Sequence, residues 1–286
     1  MYAAGYEENI TVQQDCESMR ITIVGCGTIG SKLAKAADKM DEVKRIYLID
    51  IVKTKAEELA SQLKKAIVVE SVEDELYHCD LVIEAARQDA AKEILLKTAS
   101  RGVDIMVTSV GALVGDDFRE MVFEKARSCD ARIFIPSGAL FGTDGLRAAS
   151  NDELAQVNLE FTAGKSSLAH IEYLEKKGID INTIDSPTEM FRGTARDAVK
   201  LFPRNVNIAA TVAILGVGFD KTEVVIIFDP AAETNNYVLT VEGRFGKAVS
   251  KTSNVYAPDS PSTSNLSSLS AIAALKRIVR NEWAGI

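Results

Sequence analysis

The run Met19 to Val24 (MRITIV) leads straight into Gly25-Cys26-Gly27-Thr28-Ile29-Gly30, and a helical pattern begins at Ile29. A β-rich run, three glycines at this spacing and a helix start leave few folds open, because each glycine answers a separate steric demand. The first permits a tight turn, the second lets a ligand's phosphates approach the backbone, and the third lets helix and strand pack closely. Free N–H groups and the dipole at the helix start favour an anion. The element predicts dinucleotide binding; an ordinary tight strand–helix turn is the plain alternative. Asp50 closes the next strand, 20 residues after Gly30, where a carboxylate would hold the adenosine ribose hydroxyls. It also repels a 2′-phosphate, and the nearest cation after it is Lys53. NAD is therefore preferred over NADP, with dual use open if Lys53 swings in. A solvated strand end is the other reading of Asp50.

The pattern continues as strands alternating with helices. Strands are expected at Arg45–Asp50, Ala66–Glu70, Leu81–Ala85, Ile105–Thr108 and Arg132–Ile135, with helices near 55–64, 89–100 and 118–128. Such alternation means βαβ units and a parallel sheet, and continuous apolar strands fit a sheet covered on both faces. After about residue 145 the pattern changes. Thr222–Phe228, Asn236–Val241 and Gly246–Ser250 read as strands joined by turns, so a mainly antiparallel sheet of a second, α+β domain follows. Residues 251–264, rich in Ser, Thr and Pro, read as a connecting loop. Leu266, Leu269, Ile272, Ala273, Lys276 and Val279 then fall at helical spacing, with Ser264 or Asn265 available as a cap. The expected organisation is a flexible extension over 1–18, a nucleotide-binding domain over 19–140, a substrate and dimerisation domain over 141–256, and a linker with a closing helix over 257–286 that returns to the first domain.

Composition excludes several classes. With 286 residues, 47% hydrophobic and 26% charged, the chain is a globular protein of about two domains. A net charge of −8 and a pI near 5.0 argue against a nucleic-acid binder. The longest apolar stretch, Ile208 to Phe219, has 12 residues, short of the roughly 20 a membrane span needs. Residues 1–18 lack the basic and apolar runs of a signal peptide. Cys16, Cys26, Cys79 and Cys129 are scattered without CxxC spacing, as reduced thiols of a cytoplasmic protein would be. The histidines, His78 and His170, sit near no cysteine pair, so no metal site is expected.

Ligands of parallel sheets bind outside the carboxyl ends of the strands. Glu84-Ala85-Ala86, Ser109-Val110-Gly111-Ala112 and Pro136-Ser137-Gly138-Ala139 should therefore rim the coenzyme, small residues letting a flat ring lie against backbone. Close-packed loop glycines are the equal alternative.

At these residues the chain resembles the L-aspartate dehydrogenase family. The matching stretches are GCGTIG (25–30), DLVIEAARQDAAKE (80–93), TSVGAL (108–113), IPSGALFGTDGLRAA (135–149), FRGTARDAVKLFPRNVNIAA (191–210), DPAAETNNY (229–237) and EGRFG (242–246). The resemblance implies a Rossmann domain, a C-terminal domain whose sheet forms a homodimer, and NAD(P)-linked oxidation of L-aspartate to iminoaspartate or oxaloacetate plus ammonia. It also implies coenzyme contacts on the glycine loop, Ala139 and Asn207, with Asn205 second to Asn207. The family's active-site histidine falls on Tyr237, and Lys165-Ser166-Ser167 stands where Lys-Pro-Pro is common.

A histidine suits the proton traffic of amine oxidation, whereas a tyrosine needs a neighbouring cation to act as a base. Lys165, Arg192 and Arg196 are candidates for that cation. Three roles for Tyr237 stay open: a base with a lowered pKa, a hydrogen-bonding group, or a packed aromatic in a protein without this chemistry. His78 precedes a strand of the first domain and His170 falls in an expected helix of the second, SSLAHIEYLEKKG; both fit solvated or satisfied histidines better than catalytic ones. For substrate carboxylates, Lys165, Arg192, Arg196, Arg204, Ser109 and Ser137 are candidate donors, each equally able to be an ordinary surface group. A dehydrogenase or imine reductase for another small carboxylated substrate, or a non-catalytic dinucleotide-binding protein, would share the same glycine loop.

Overall fold

The structure is a computed structural model that describes residues 18–76, 78–203, 206–257 and 260–283. Residues 1–17, Arg204 and Asn205 lie outside the described residues, and with them most of the expected extension and one expected coenzyme contact.

The first half contains strands β1 (Met19–Val24), β2 (Val43–Ile49), β3 (Ala66–Val68), β4 (Leu81–Glu84), β5 (Asp104–Val107) and β6 (Ile133–Phe134). Between them run helices α1 (Thr28–Ala37), α2 (Lys53–Ala60), α3 (Val72–Glu75), α4 (Gln88–Ser100), a 3₁₀ turn at Val110–Val114, and α5 (Asp116–Ser128). The strands are all parallel, in the order β3-β2-β1-β4-β5-β6. Strands β4 and β5 are buried along their whole length, as helices on both faces require. The chain reverses its direction of travel across the sheet between β1 and β4, which opens a crevice at their carboxyl ends.

The second half comprises α6 (Thr143–Ala149), β7 (Leu154–Ala163), α7 (Lys165–Leu168), α8 (Glu172–Lys176), β8 (Thr188–Thr194), α9 (Ala195–Leu201) and α10 (Asn207–Leu215), then β9 (Thr222–Phe228), β10 (Asn235–Gly243) and β11 (Gly246–Asn254). Its sheet has the order β11-β10-β7-β9-β8. Three pairings are antiparallel, but β7 and β9 run parallel, so the sheet is mixed and mostly antiparallel. Its central strand, β7, was not among the expected strands. Val157, Leu159, Phe161 and Ala163 face the core and alternate with more exposed polar positions.

Two local expectations change. Residues 251–264 are not a plain loop: β11 runs on to Asn254, and β12 (Tyr256–Ala257) pairs with β13 (Ser260–Ser264). Thr252 and Asn254 are buried, which anchors a polar segment that composition alone makes look free. The expected helix around His170 is broken, because His170 adopts φ 57° between α7 and α8.

Helix α10 is apolar all round and buried, as a helix enclosed on all sides must be. It packs on the 3₁₀ turn of the first half and so brings Asn207, at its start, to the strand ends. The closing helix α11 (Asn265–Arg280) lies against α1, with Ala271, Leu275 and Ile278 in one apolar cluster with Leu33, Ala34 and Ala37. A second tie is ionic. Arg196 of α9 donates to Asp116 at 2.7 Å and to the Val114 carbonyl at 2.8 Å, and pairs with Asp220 at 2.6 Å. Its guanidinium and that of Arg119 both lie near the Phe219 ring, at 5.7 and 5.1 Å.

Candidate active site

The glycine loop is built as its spacing demands. Gly25 has φ 101°, and a Cβ there would sit 2.4 Å from the Ala85 carbonyl oxygen. A Cβ on Gly30 would come within 1.8 Å of the Gly25 carbonyl oxygen. Gly27 differs: it is exposed at the N-cap of α1, and a Cβ on it would meet nothing within 4 Å. No side chain caps α1, so the N–H groups of its first turn are without a capping side chain. Room left clear of protein beside an uncapped helix start is what a pyrophosphate needs, and the residues present fit a dinucleotide. Asp50 stands next to this loop. Its carboxylate accepts from the Cys26 N–H at 2.7 Å and from the Val52 N–H at 2.8 Å, which fixes it against the turn. Burial, and then the Asp50 charge, push the Cys26 thiol up to about 11, so it stays protonated at neutral pH.

At the adjoining strand ends, the Glu84 side chain accepts from the Ala86 N–H at 2.8 Å and the Ser109 N–H at 2.9 Å. Ser109 in turn donates its hydroxyl to the Ala86 carbonyl at 2.9 Å. The coenzyme candidates Ala85, Ala86 and Ser109 thus form one hydrogen-bonded unit with the glycine loop packed on it.

Between these strand ends and the second sheet lies a cavity of about 160 Å³. Of the expected site residues, Ile29, Val110, Ala139, Asn207 and Tyr237 line it. Asn207 also borders a neighbouring hollow of about 710 Å³, which Ala86, Ser109 and Gly111 line from the other side. The Asn207 amide oxygen accepts from the Gly111 N–H at 3.0 Å and from Gln88 at 2.8 Å, while Gln88 also donates to the Pro203 carbonyl at 2.7 Å. With its oxygen so committed, Asn207 has its N–H₂ group to offer a bound molecule. Ala139 is held in place by Asn254, which donates to its carbonyl at 2.9 Å.

Tyr237 is 5% exposed and stacks on Phe161 at 4.9 Å with an angle of 10° between the rings. Its hydroxyl is hydrogen-bonded to the Ser264 side chain. Burial drives the phenol further above its ordinary value, and no cation among the described residues acts on it. The candidate cations are elsewhere. Lys165 is exposed and lines a different hollow with His170 and Asp180. Arg192 pairs with Glu189 at 2.6 Å and Glu223 at 3.0 Å, and Arg196 is the inter-domain tie already described. The phenolate-base role therefore lacks the charge it needs. His78 and His170 are exposed and outside the cavity, and the half-buried Ser137 does not line it either.

Four positions take roles at the site that their sequence did not suggest. Gln88 positions Asn207. Asn235 accepts from Ser167 at 2.8 Å and donates to Ser264 at 3.2 Å, which sets the partner of Tyr237. Ser264, expected as a helix cap, occupies the N-cap of α11 without a side-chain cap bond, its hydroxyl being used by Asn235 and Tyr237. Glu84 was read only as part of a strand end. Two asparagines opening β10 were a usable signal, since Asn is depleted in strands unless a specific hydrogen bond holds it.

A doubly wound nucleotide-binding sheet whose strand ends face a second sheet across a small polar-edged cavity defines a two-domain NAD(P)-dependent oxidoreductase. Residues 25–136 match the family described as homoserine dehydrogenase, NAD binding domain, and residues 144–278 match aspartate dehydrogenase, C-terminal. The L-aspartate dehydrogenase of Methanosarcina barkeri is 39% identical over 263 residues, covering 91% of this chain and 97% of the relative. That of Methanococcoides burtonii is 40% identical over the same shares. The crystal structure of aspartate dehydrogenase from Thermotoga maritima superposes with a TM-score of 0.69 at 26% identity, covering 94% of this chain and 98% of that one. The chain belongs to the aspartate dehydrogenase family.

Proposed function

We propose that the protein is an L-aspartate dehydrogenase that prefers NAD, oxidising L-aspartate to iminoaspartate, which water converts to oxaloacetate and ammonia. One observation carries this reading: a cavity of about 160 Å³ places Tyr237 and Asn207 on the walls of a space that opens beside the glycine loop's first helical turn, at Ile29. An engineered cavity of about 150 Å³ holds benzene, so the space is of the size a small acid or a flat ring requires.

When bound, the coenzyme would supply the acceptor for the hydride, a proton with two electrons, that leaves Cα as the amine becomes an imine. Everything else falls to the chain. Gly25, Gly27, Thr28, Ile29 and Gly30 shape and supply the phosphate cradle, and Asp50 accepts from the ribose hydroxyls and disfavours a 2′-phosphate. Ala85, Ala86, Ser109, Val110, Gly111 and Ala139 form the backbone floor, and the Asn207 N–H₂ donates to the carboxamide. Tyr237, kept neutral by burial, holds substrate or water by hydrogen bonding through the Ser264–Asn235 relay. Among the described lining residues none carries a charge, so the substrate amine sheds its proton to solvent and turnover should rise with pH.

That uncharged lining also favours a second reading, a dehydrogenase for a small carboxylated substrate less anionic than aspartate, because a dicarboxylate ordinarily meets cationic donors. Assaying NADH oxidation with oxaloacetate and ammonium, against a panel of monocarboxylic oxo acids, separates the two. Turnover confined to the panel would remove aspartate from the claim. We further propose a homodimer through the second sheet, supported by the half-exposed Val249 and Phe245 at the β10–β11 hairpin, which light scattering tests. Cytoplasmic location is supported by Cys26, Cys79 and Cys129, all free thiols.

A further inference from the structure

Glu84 is 0% exposed at the carboxyl end of β4, between Val24 of β1 and Val107 of β5. A fully buried carboxyl is costly unless its oxygens are matched to donors. Here both are matched, and to different loops: one oxygen takes the Ala86 N–H and the other the Ser109 N–H. These loops are neighbours on the β4 side of the crevice that opens between β1 and β4. The first is also clamped to the glycine loop, since the Ala85 carbonyl fills the space a Cβ on Gly25 would need.

We infer that Glu84 is a positioning residue whose ionised carboxylate ties the β4 and β5 loops into the geometry that binds the coenzyme, and whose protonation loosens that tie. The inference rests on the dinucleotide reading above. The groups facing Glu84 are the N–H groups of Ala86, Thr108 and Ser109 and the Ser109 hydroxyl. A neutral carboxyl oxygen is a weaker acceptor than a carboxylate oxygen, so the loop bond to the oxygen that takes the proton is weakened. Titratable groups on the neighbouring elements turn elsewhere. Cys26 and Asp50 engage each other, Arg87 and Asp89 form an exposed pair at 3.4 Å, and Asp104 binds Arg132. Among the described residues no cation offsets burial, which raises Glu84 to about 7 against the pull of its hydrogen bonds. Both forms are therefore populated at neutral pH.

NADH fluorescence titration of the full chain between pH 5.5 and 8.5 tests this without requiring turnover. The expected result is a dissociation constant about tenfold weaker at the acid end, the scale of one weakened hydrogen bond, with the transition near neutrality. Glu84→Gln should bind at the wild-type acid-limb affinity and stay flat across the range; a purely structural defect would shift affinity yet leave the pH profile in place. A flat wild-type profile overturns the inference, and so does a transition that survives in Glu84→Gln. If Glu84→Gln does not fold, the wild-type profile alone decides. No NADH binding at any pH removes the dinucleotide reading itself, a different failure from binding that ignores pH.

Discussion

Gly27→Ala should stabilise the free protein while crippling coenzyme binding. At φ −74° and ψ −163° Gly27 occupies a conformation open to any L-residue, and an added methyl meets no protein atom within 4 Å. Replacing glycine at a compatible position stabilises by roughly 0.4–1 kcal/mol through the unfolded chain. For a chain of this size that raises Tm by about 1–4 °C. The same methyl stands where the pyrophosphate should lie, and displacing it from even one N–H forfeits a charged hydrogen bond of about 1.5–3 kcal/mol. Affinity should fall by roughly 10- to 100-fold. Gly30→Ala provides the contrast, since its methyl would collide with the Gly25 carbonyl at 1.8 Å and should damage folding and binding together. Thermal melts without ligand and NADH fluorescence titrations measure the two effects. A Gly27→Ala protein that binds NADH as tightly as the wild type would show that the open space is not the phosphate cradle.

Other perturbations separate chemistry from architecture. Tyr237→Phe removes the hydroxyl but keeps the stack on Phe161, so kcat/KM should fall about 10- to 100-fold with NADH affinity unchanged, the scale of one hydrogen bond to a charged substrate; unaltered kinetics would make the tyrosine a packing residue. Arg196→Ala breaks the bonds to Asp116, Val114 and Asp220 and should cost about 1–3 kcal/mol in denaturant melts, chiefly from groups left unpaired at the junction of the two halves. Glu84 predicts a pH-dependent stability. Its value in the fold, about 7 against an ordinary 4.5, is raised, so its contribution is full below about 4.5 and is lost as pH rises through 7. At 1.36 kcal/mol per pKa unit, the stability of the wild type relative to Glu84→Gln should drop by about 2–3 kcal/mol between pH 5 and pH 8. A pH-independent difference would mean that Glu84 does not titrate there.

The first half was legible in the sequence because its strands are buried on both faces and its turn carries glycines with no other use. The second half was less so. Strand β7 shows clear alternation, but its partners β9 and β10 arrive some 65 to 90 residues later, and pairing over that distance leaves no local trace. The candidate site divides the same way. Gly25, Gly27, Gly30 and Asp50 could be read because each is set by local backbone geometry. The surroundings of Tyr237 could not, since they depend on where Arg196 and Lys165 go. Arg196 is drawn to Asp116, 80 residues away, and Lys165 faces another hollow across the short broken helices around His170.

The most direct test is a crystal structure of the protein with NAD bound. The account predicts pyrophosphate over Gly27, ribose hydroxyls on Asp50, and the nicotinamide in the cavity with its carboxamide on the Asn207 N–H₂ group and the Tyr237 hydroxyl within reach of the substrate side. A coenzyme bound elsewhere, or a nicotinamide pointing away from Asn207 and Tyr237 into solvent, would contradict it.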